Sequence, residues 1–587
     1  MSKARRLIKS NRSRLARSLA QRLGFRLSIA SNSLLIHSEK QSLEPSIDTK
    51  LSESSIHVAC FSPYATWDLH STWELTVLRS LKQRGCKTSL LLCDSVSTTC
   101  DLVWADKALP FDRCLVCQNR ASTAARLFRQ PFEWLSRYVD SSERLNAIEW
   151  AQNLPDDGLR HARFGDLPLG DWCYGSMRTH FRGSTLDHDN PVVQQAYRDY
   201  LLGAAQAYLG CRSWLQNSRP DILWLFNGRL SLTRVALEAA KQLGIRVICH
   251  ERGIVRHSIA LWENERCSQY QGKRQLALTN ADSPLTIDQV NAVTRWLKDR
   301  RQAKNFNRKP FLQKRRPDKA QSLQESNVSA GDQVLLALTS SDHEFGAEAD
   351  RNQIFDHQYL WLLSILNWAD AHPSKRVVIR FHPNASLGSW RAFADFLGQD
   401  SDPSDLVTVR KPLVNVSVVP PGNQLDTYSL IDISCLVTTY GSTAGIEAAS
   451  LGKVVIAADH CLYHGMPWVQ SATSPAHFLE LLNSYPWTDT PRPSPMIAAG
   501  AMRFLWDYHL GPSITSHLVY HPGLDYARIT YRADLPFQLD YGRDQGIDRI
   551  TDIIMAKRPT YDLRPASTDA TGESMVVRDY LNETQIK

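Results

Sequence analysis

Apolar residues fall into short runs of four to six, each closed by a polar or glycine-rich tip, and the runs alternate with stretches of helical period. Residues 56–61 (IHVACF), 88–93, 221–226, 246–249, 334–338, 377–381, 435–439 and 454–458 read as buried strands, because apolar runs of this length suit a sheet covered on both faces. Trp73, Val77 and Leu81 recur at i, i+4 and i+8. Leu232, Val235, Ala236, Ala239, Ala240 and Leu243 mark one face of a helix that Gly244 ends. Further helices are predicted over 195–214 and 359–368. The alternation of strands and helices predicts an α/β fold with parallel sheets, Rossmann-like in its opening unit. That unit lacks the G-x-G-x-x-G fingerprint, so bound NAD is not expected.

The 587 residues exceed what one core organises, and two domains with appendages are expected. Residues 1–54 read as a basic tail and polar linker. Lys and Arg crowd positions 1–27, no acid precedes Glu39, and Leu15, Leu19 and Leu23 share one helical face. This pattern suits an amphipathic helix on an anionic membrane surface or a disordered basic tail. Residues 55–299 form the first domain, with a helix-rich insertion, and 300–330 a polar, basic linker. Residues 331–490 form the second domain, and 491–587 an extension whose end, 565–587, reads as disordered.

The net charge of +8 is mild, and no Lys/Arg stripe with interleaved aromatics accompanies it, so nucleic acid is not an expected partner. No run of eighteen apolar residues and no signal-peptide core stand out. Twelve irregularly spaced cysteines suggest reduced thiols. A cytoplasmic protein is expected, peripheral at most on the inner face of the plasma membrane. Cys93, Cys100, Cys114 and Cys117 include one C-x2-C pair and are zinc candidates. The other pair is separated by six residues and Cys93 ends an apolar strand, which favours buried thiols.

Candidate chemistry gathers at strand tips. Gly441-Ser442-Thr443-Ala444-Gly445 joins a strand to a short helix; small residues admit a ligand to the backbone, and Ser442 or Thr443 can cap the helix. Exposed N–H groups there suit a phosphate, and Glu447 in the first turn suits ribose hydroxyls. Arg380 and His382 lie two apart at the end of another strand and share a side, an arrangement fit for a diphosphate. Ser340 lies at a third tip of that domain. In the first domain, Asn227-Gly228-Arg229 and His250-Glu251-Arg252-Gly253 close two strands, while Asp68, His70 and Glu74 sit where a loop enters a helix, each either a general-base candidate or a solvent-exposed loop polar. Residues 170–176 read as a compact loop, either a packing loop, the preferred reading, or one bordering an acceptor site.

Arg-Phe-His-Pro-Asn at 380–384, followed about sixty residues on by Thr-Tyr-Gly-Ser-Thr-Ala-Gly-Ile-Glu-Ala at 439–448, resembles the capsule polysaccharide biosynthesis glycosyltransferases. These include Kdo-transferase-like enzymes and, more distantly, bacterial sialyltransferases and CDP-glycerol polyol-phosphate transferases. The resemblance is good over about 330–460 and looser over 55–290. It implies a GT-B fold, two Rossmann-like domains facing across a cleft, with a nucleotide-sugar donor held mainly by the second. CMP- or CDP-linked donors lead by family analogy. The acceptor would be a surface polysaccharide or its lipid-linked precursor.

On that reading Arg380, His382, Asn384, Ser340, Gly441, Ser442 and Thr443 bind the donor, Glu447 holds ribose, and His382 also assists departure of the nucleotide. A first-domain carboxylate, Glu251 before Asp68, deprotonates the acceptor hydroxyl, and Asn227, Arg229, Arg252 and His70 line the acceptor side. No Asp-x-Asp motif stands in a suitable place, so no obligatory metal is expected. Two alternatives are a CDP-alcohol-dependent polyol-phosphate transferase and a non-catalytic carbohydrate- or nucleotide-binding subunit of a polysaccharide assembly complex.

Overall fold

The computed structural model describes residues 55–585 apart from 97–98, 103–109, 182–185, 268, 270, 303, 305–318, 341–352, 384, 386–392, 394–412, 422, 424, 488–491, 520–537, 563, 565–566 and 568. The basic tail, residues 303 and 305–318 of the 300–330 linker, and Asn384 therefore lie outside the described residues.

The first α/β unit opens with β1 (His57–Ser62), α1 (Asp68–Gln83), β2 (Lys87–Leu92), α2 (Pro110–Leu127) and β3 (Glu133–Trp134). Helices α3 (Ser141–Gln152), α4 (Leu169–Phe181) and α5 (Pro191–Ser218) follow, then β4 (Ile222–Phe226), α6 (Ser231–Gln242), β5 (Arg246–Arg252) and β6 (Ser258–Glu263). Among the described residues its sheet has the order β13-β6-β5-β4-β1-β2-β3, where β13 (Ile514–Thr515) comes from far down the chain. The strands from β3 to β5 run parallel, and β6 turns back against β5. Side chains alternate between faces. Ala59, Phe61, Leu223 and Leu225 enter one core with α5 and α6, while Val58, Cys60, Ile222 and Trp224 enter another with α1. Trp73, Val77 and Leu81 are buried there as their spacing predicts. Each contributes roughly 1.5–3 kcal/mol by burial.

The second unit holds α7 (Gln271–Thr279), α8 (Ile287–Arg301), α9 (Lys319–Glu325), β7 (Gln333–Leu338), α10 (Gln358–Ala371), β8 (Lys375–Arg380), β9 (Val416–Val419), α11 (Thr427–Ile433) and β10 (Leu436–Thr439). It continues with α12 (Ala444–Ser450), β11 (Val454–Ala457), β12 (Gln470–Ser471), α13 (Pro475–Ser484) and α14 (Pro495–Leu505). Its sheet is parallel throughout, in the order β12-β11-β10-β7-β8-β9. Both sheets are doubly wound. In each, the chain reverses direction beside its first strand: between β1 and β4 in one unit, between β7 and β10 in the other. Such switch points open crevices at the carboxyl edge where ligands bind.

The units exchange segments more than the sequence suggests. Helices α7 and α8 were expected in the first domain, yet Ala277, Leu285, Val290, Val293 and Leu297 pack in the core of the second. After α14 the chain crosses back. Ile514 pairs with Ile259, and α15 (Gln545–Ile554) buries Ile547, Ile550, Ile553 and Ile554 against the α1 face. Arg246 fixes that crossing by donating to the carbonyls of Ile553 and Ile554, both at 3.1 Å. The chain then returns, and the end expected to be disordered forms α16 (Ala570–Gln585), with Val577, Tyr580 and Leu581 in the second core. Residues 170–176, expected as a loop, lie within α4. Gly170 is packed so tightly on the Arg160 carbonyl that a Cβ would sit 2.4 Å from it.

Candidate functional site

The first switch point is built around Asn227. Its φ of 61° and that of Gly228, 70°, turn the chain sharply after β4, and a Cβ on Gly228 would lie 2.9 Å from the Cys249 sulfur. The turn aims the Asn227 amide at β5. Its Nδ2 donates to Glu251 Oε2 at 2.7 Å, and its Oδ1 accepts from Arg229 N at 2.9 Å. Glu251 Oε1 accepts from Arg252 N at 2.9 Å and lies 3.5 Å from His70 Nε2 and 3.7 Å from Arg252 Nε. The His70 ring rests on Phe226, centroids 3.8 Å apart. The tips of β4 and β5 and the start of α1 thus converge on one carboxylate.

Electrostatics changes the role expected for Glu251. Burial raises its pKa, but the charges of His70 and Arg252 and the hydrogen bonds from Arg252 N and Asn227 prevail and hold it at about 2. So weak a base is poorly matched to a sugar hydroxyl near neutral pH, where the best general base titrates close to the operating pH. Asp68 is no better placed, because its carboxylate is ion-paired with Arg120. His70, expected to line the acceptor side and counted with Asp68 and Glu74 among the general-base candidates, is the side chain that faces Glu251. Glu74, expected to overhang the cleft, is instead buried: it accepts from Ser62 Oγ and lies 3.6 Å from His250 Nε2. His250 has no solvent exposure and stacks on Trp224, centroids 4.4 Å apart.

Sequence reasoning missed Asp101. It is fully buried beside the switch point and accepts from Tyr64 Oη at 2.7 Å and Ser231 Oγ at 3.3 Å, with Arg229 exerting its charge on it. Burial pushes its pKa up. Nothing in its local sequence separates it from a loop polar.

At the second switch point the tips of β7 and β10 adjoin. Ser340 N donates to Gln358 Oε1 at 2.7 Å, and Thr339 Oγ1 accepts from His382 N at 2.8 Å. Gly441 has a φ of 130°, reserved for glycine. Ser442 Oγ accepts from Ala444 N at 3.3 Å, and Tyr463 Oη donates to the Ser442 carbonyl at 2.7 Å. Thr443 is exposed and makes no capping bond with its side chain. His382, Ser340, Gly441, Ser442 and Thr443 therefore share one edge.

Arg380 and Glu447 do not present their charges there. The Arg380 guanidinium is buried, donating to the carbonyls of Pro420 at 2.6 Å and Asn423 at 3.4 Å, and burial pushes its pKa down to about 10. It braces the loop after β9. Glu447 is buried too, accepting from Arg300 Nε at 2.9 Å through Oε1 and from the Tyr428 hydroxyl through Oε2. A run of alternating positions predicts which face a residue takes; it does not reveal that neighbouring elements already occupy that side chain.

The four zinc candidates form no disulfide. Burial holds Cys93 at about 12 and raises Cys100 and Cys117. Among the described residues no group of three His, Cys, Asp or Glu has a metal-binding arrangement.

The two carboxyl edges approach each other: Ile254, just past β5, packs on the second core, and the charge of Arg178 in α4 depresses the pKa of His357 at the start of α10, after burial. Two doubly wound units meeting through their carboxyl edges define a GT-B-like architecture. No protein-family model and no curated protein matches the chain. Solved structures do. The chain is similar to the β-Kdo 2,4-transferase KpsC of Thermosulfurimonas dismutans, at 15% identity over 48% of this chain and 79% of that one, TM-score 0.31. The β-Kdo 2,7-transferase KpsC of that organism matches at 13% identity over 56% and 88%, TM-score 0.31. A UDP-GlcNAc 2-epimerase of Neisseria meningitidis, bound to UDP-GlcNAc, matches at 13% over 78% and 96%, TM-score 0.24. Likenesses this distant do not define an activity. Among the described residues no helix is long and apolar enough to cross a membrane.

Proposed function

We propose that the protein is a nucleotide-sugar-dependent glycosyltransferase acting on a surface polysaccharide or its lipid-linked precursor. The observation that carries this reading is the His70–Glu251 pair at one switch point, with a glycine-turned, hydroxyl-rich edge at the other. With the His70 Nε2–H facing Glu251, the other ring nitrogen, Nδ1, takes the proton of the acceptor hydroxyl as that oxygen attacks the anomeric carbon. Glu251, fixed by Asn227 and Arg252, keeps the imidazole oriented and stabilises the imidazolium that forms. The nucleotide leaves toward the second unit. There Ser442 and Thr443 hydroxyls, main-chain N–H groups after Gly441 and the His382 side chain hold its phosphate as the glycosidic bond breaks. A cytidine nucleotide is the first donor to test.

Thermal unfolding against CMP, CDP, UDP, GDP and ADP, with His382→Ala as control, tests the donor side. A nucleotide present at a hundred times its Kd adds about 2.7 kcal/mol of stability. One nucleotide should raise Tm in the wild type and not in the variant; no shift with any nucleotide would overturn the reading.

A further inference from the structure

Trp67 occupies the turn between β1 and α1, at the carboxyl edge beside the first switch point. Main-chain hydrogen bonds fix this turn: Trp67 N donates to the Tyr64 carbonyl at 2.9 Å, and the Trp67 carbonyl accepts from His70 N at 3.0 Å and Ser71 N at 3.2 Å. The side chain is only half-buried, although its neighbours Tyr64, Ala65, Leu69 and His70 are all buried. It belongs to a contiguous set of rings. Its centroid lies 5.0 Å from Tyr64, 5.6 Å from Phe226 and 6.4 Å from His70, and the last two pairs are edge-on. A large aromatic held rigid yet left partly open is costly to solvate and inexpensive in entropy to use for binding. It stands within one ring's reach of the imidazole that the Glu251 carboxylate orients. Sites that hold small polar molecules combine such an apolar wall with a few fixed polar groups.

We propose that Trp67 is the platform on which a pyranose ring of the acceptor stacks, its apolar C–H face against the indole, so that one hydroxyl reaches His70. The ligand class is a neutral or weakly polar face of a hexose, and the residue determines acceptor specificity. This inference rests on the glycosyltransferase reading and concerns the first unit alone. Tyr64 and Phe226 pack against the indole, the first tilted and the second edge-on, and Asp68, paired with Arg120, locks the start of α1.

The test uses saturation-transfer NMR on the full chain, with the methyl glycosides of glucose, galactose and mannose as probes and the best nucleotide as an independent signal. Wild type should transfer saturation to the ring C–H protons of at least one glycoside. Trp67→Ala should reduce that transfer to background, Trp67→Phe should keep most of it, and both variants should retain the nucleotide signal. Glycoside transfer that is absent in wild type, or unchanged in Trp67→Ala, overturns the platform. Loss of the nucleotide signal in every protein instead counts against the glycosyltransferase reading, while the glycoside comparison still decides the platform.

Discussion

Glu251 from β5 and His70 from α1 stand 3.5 Å apart, and the carboxylate is so well satisfied that it titrates at about 2. A glutamate in this state is a fixed negative charge, not a proton acceptor. Under the proposed function Glu251→Gln should slow transfer by about 10²- to 10⁴-fold, the usual worth of organised general-base catalysis, with Asn227→Ala following in the same direction. His70→Ala should be at least as slow. Asp68→Asn should leave the chemical step nearly intact. Single-turnover rates across pH 5–9 would distinguish these outcomes.

The same carboxylate links stability to acid. Its pKa falls from 4.5 to about 2 on folding, so the stabilising interaction is fully present above pH 4.5 and is lost as pH drops toward 2. Urea unfolding at pH 7, 4 and 3 should show wild type losing on the order of 2 kcal/mol more than Glu251→Gln over that interval. Equal slopes for the two proteins would contradict the pairing seen here.

Glu447 offers a test of brace against ligand group. Glu447→Ala removes the carboxylate that pairs with Arg300 between α8 and α12, and breaking such a largely buried pair costs about 3 kcal/mol. Tyr428→Phe, which removes one hydrogen bond to the same carboxylate, should cost about 1 kcal/mol. If Glu447→Ala instead keeps its Tm but no longer responds to nucleotide, the residue binds ribose after all.

Arg380 and His382 should separate in the same way. Arg380→Met strips the donors from the carbonyls of Pro420 and Asn423 and should destabilise by about 1–3 kcal/mol. His382 meets Thr339 through its main-chain N–H, which alanine preserves. His382→Ala should therefore shift Tm far less while abolishing the nucleotide response. Differential scanning with and without nucleotide reads both effects at once.

Removing residues 570–587 should prevent stable folding. Val577, Tyr580 and Leu581 are buried in the second core, and Glu573 accepts from Leu285 N at 2.8 Å and from Arg503 Nε at 2.9 Å. Three large apolar side chains at roughly 1.5–3 kcal/mol each amount to about 5–9 kcal/mol, comparable with the whole stability of a typical domain. Limited proteolysis would show the truncated chain cut rapidly through α7 and α8, where the intact chain resists.

The elements themselves were legible because each obeys a local rule. Apolar runs made strands within one or two residues of 56–61, 334–338 and 435–439, and the spacing of Trp73, Val77 and Leu81 oriented α1. Polar tips such as Asn227, Glu251 and Ser340 do fall at the carboxyl ends of strands, as the alternation of strands and helices predicts. That placement needed only the order of strands and helices.

What the chain order could not supply is which distant groups share a space. Glu447 and Arg300 are far apart in sequence, as are Arg380 and Pro420, and only packing turned two expected ligand groups into braces. Asp101 looked like a loop polar until Tyr64 and Ser231 closed around it. The end of the chain looked polar enough to be disordered because its apolar stripe, Val577, Tyr580 and Leu581, is narrow and its partners lie on α8 and α14. Periodicity records what each segment wants to bury. The tertiary structure alone decides what covers it, and with that the charge, the proton affinity and the work left for each side chain.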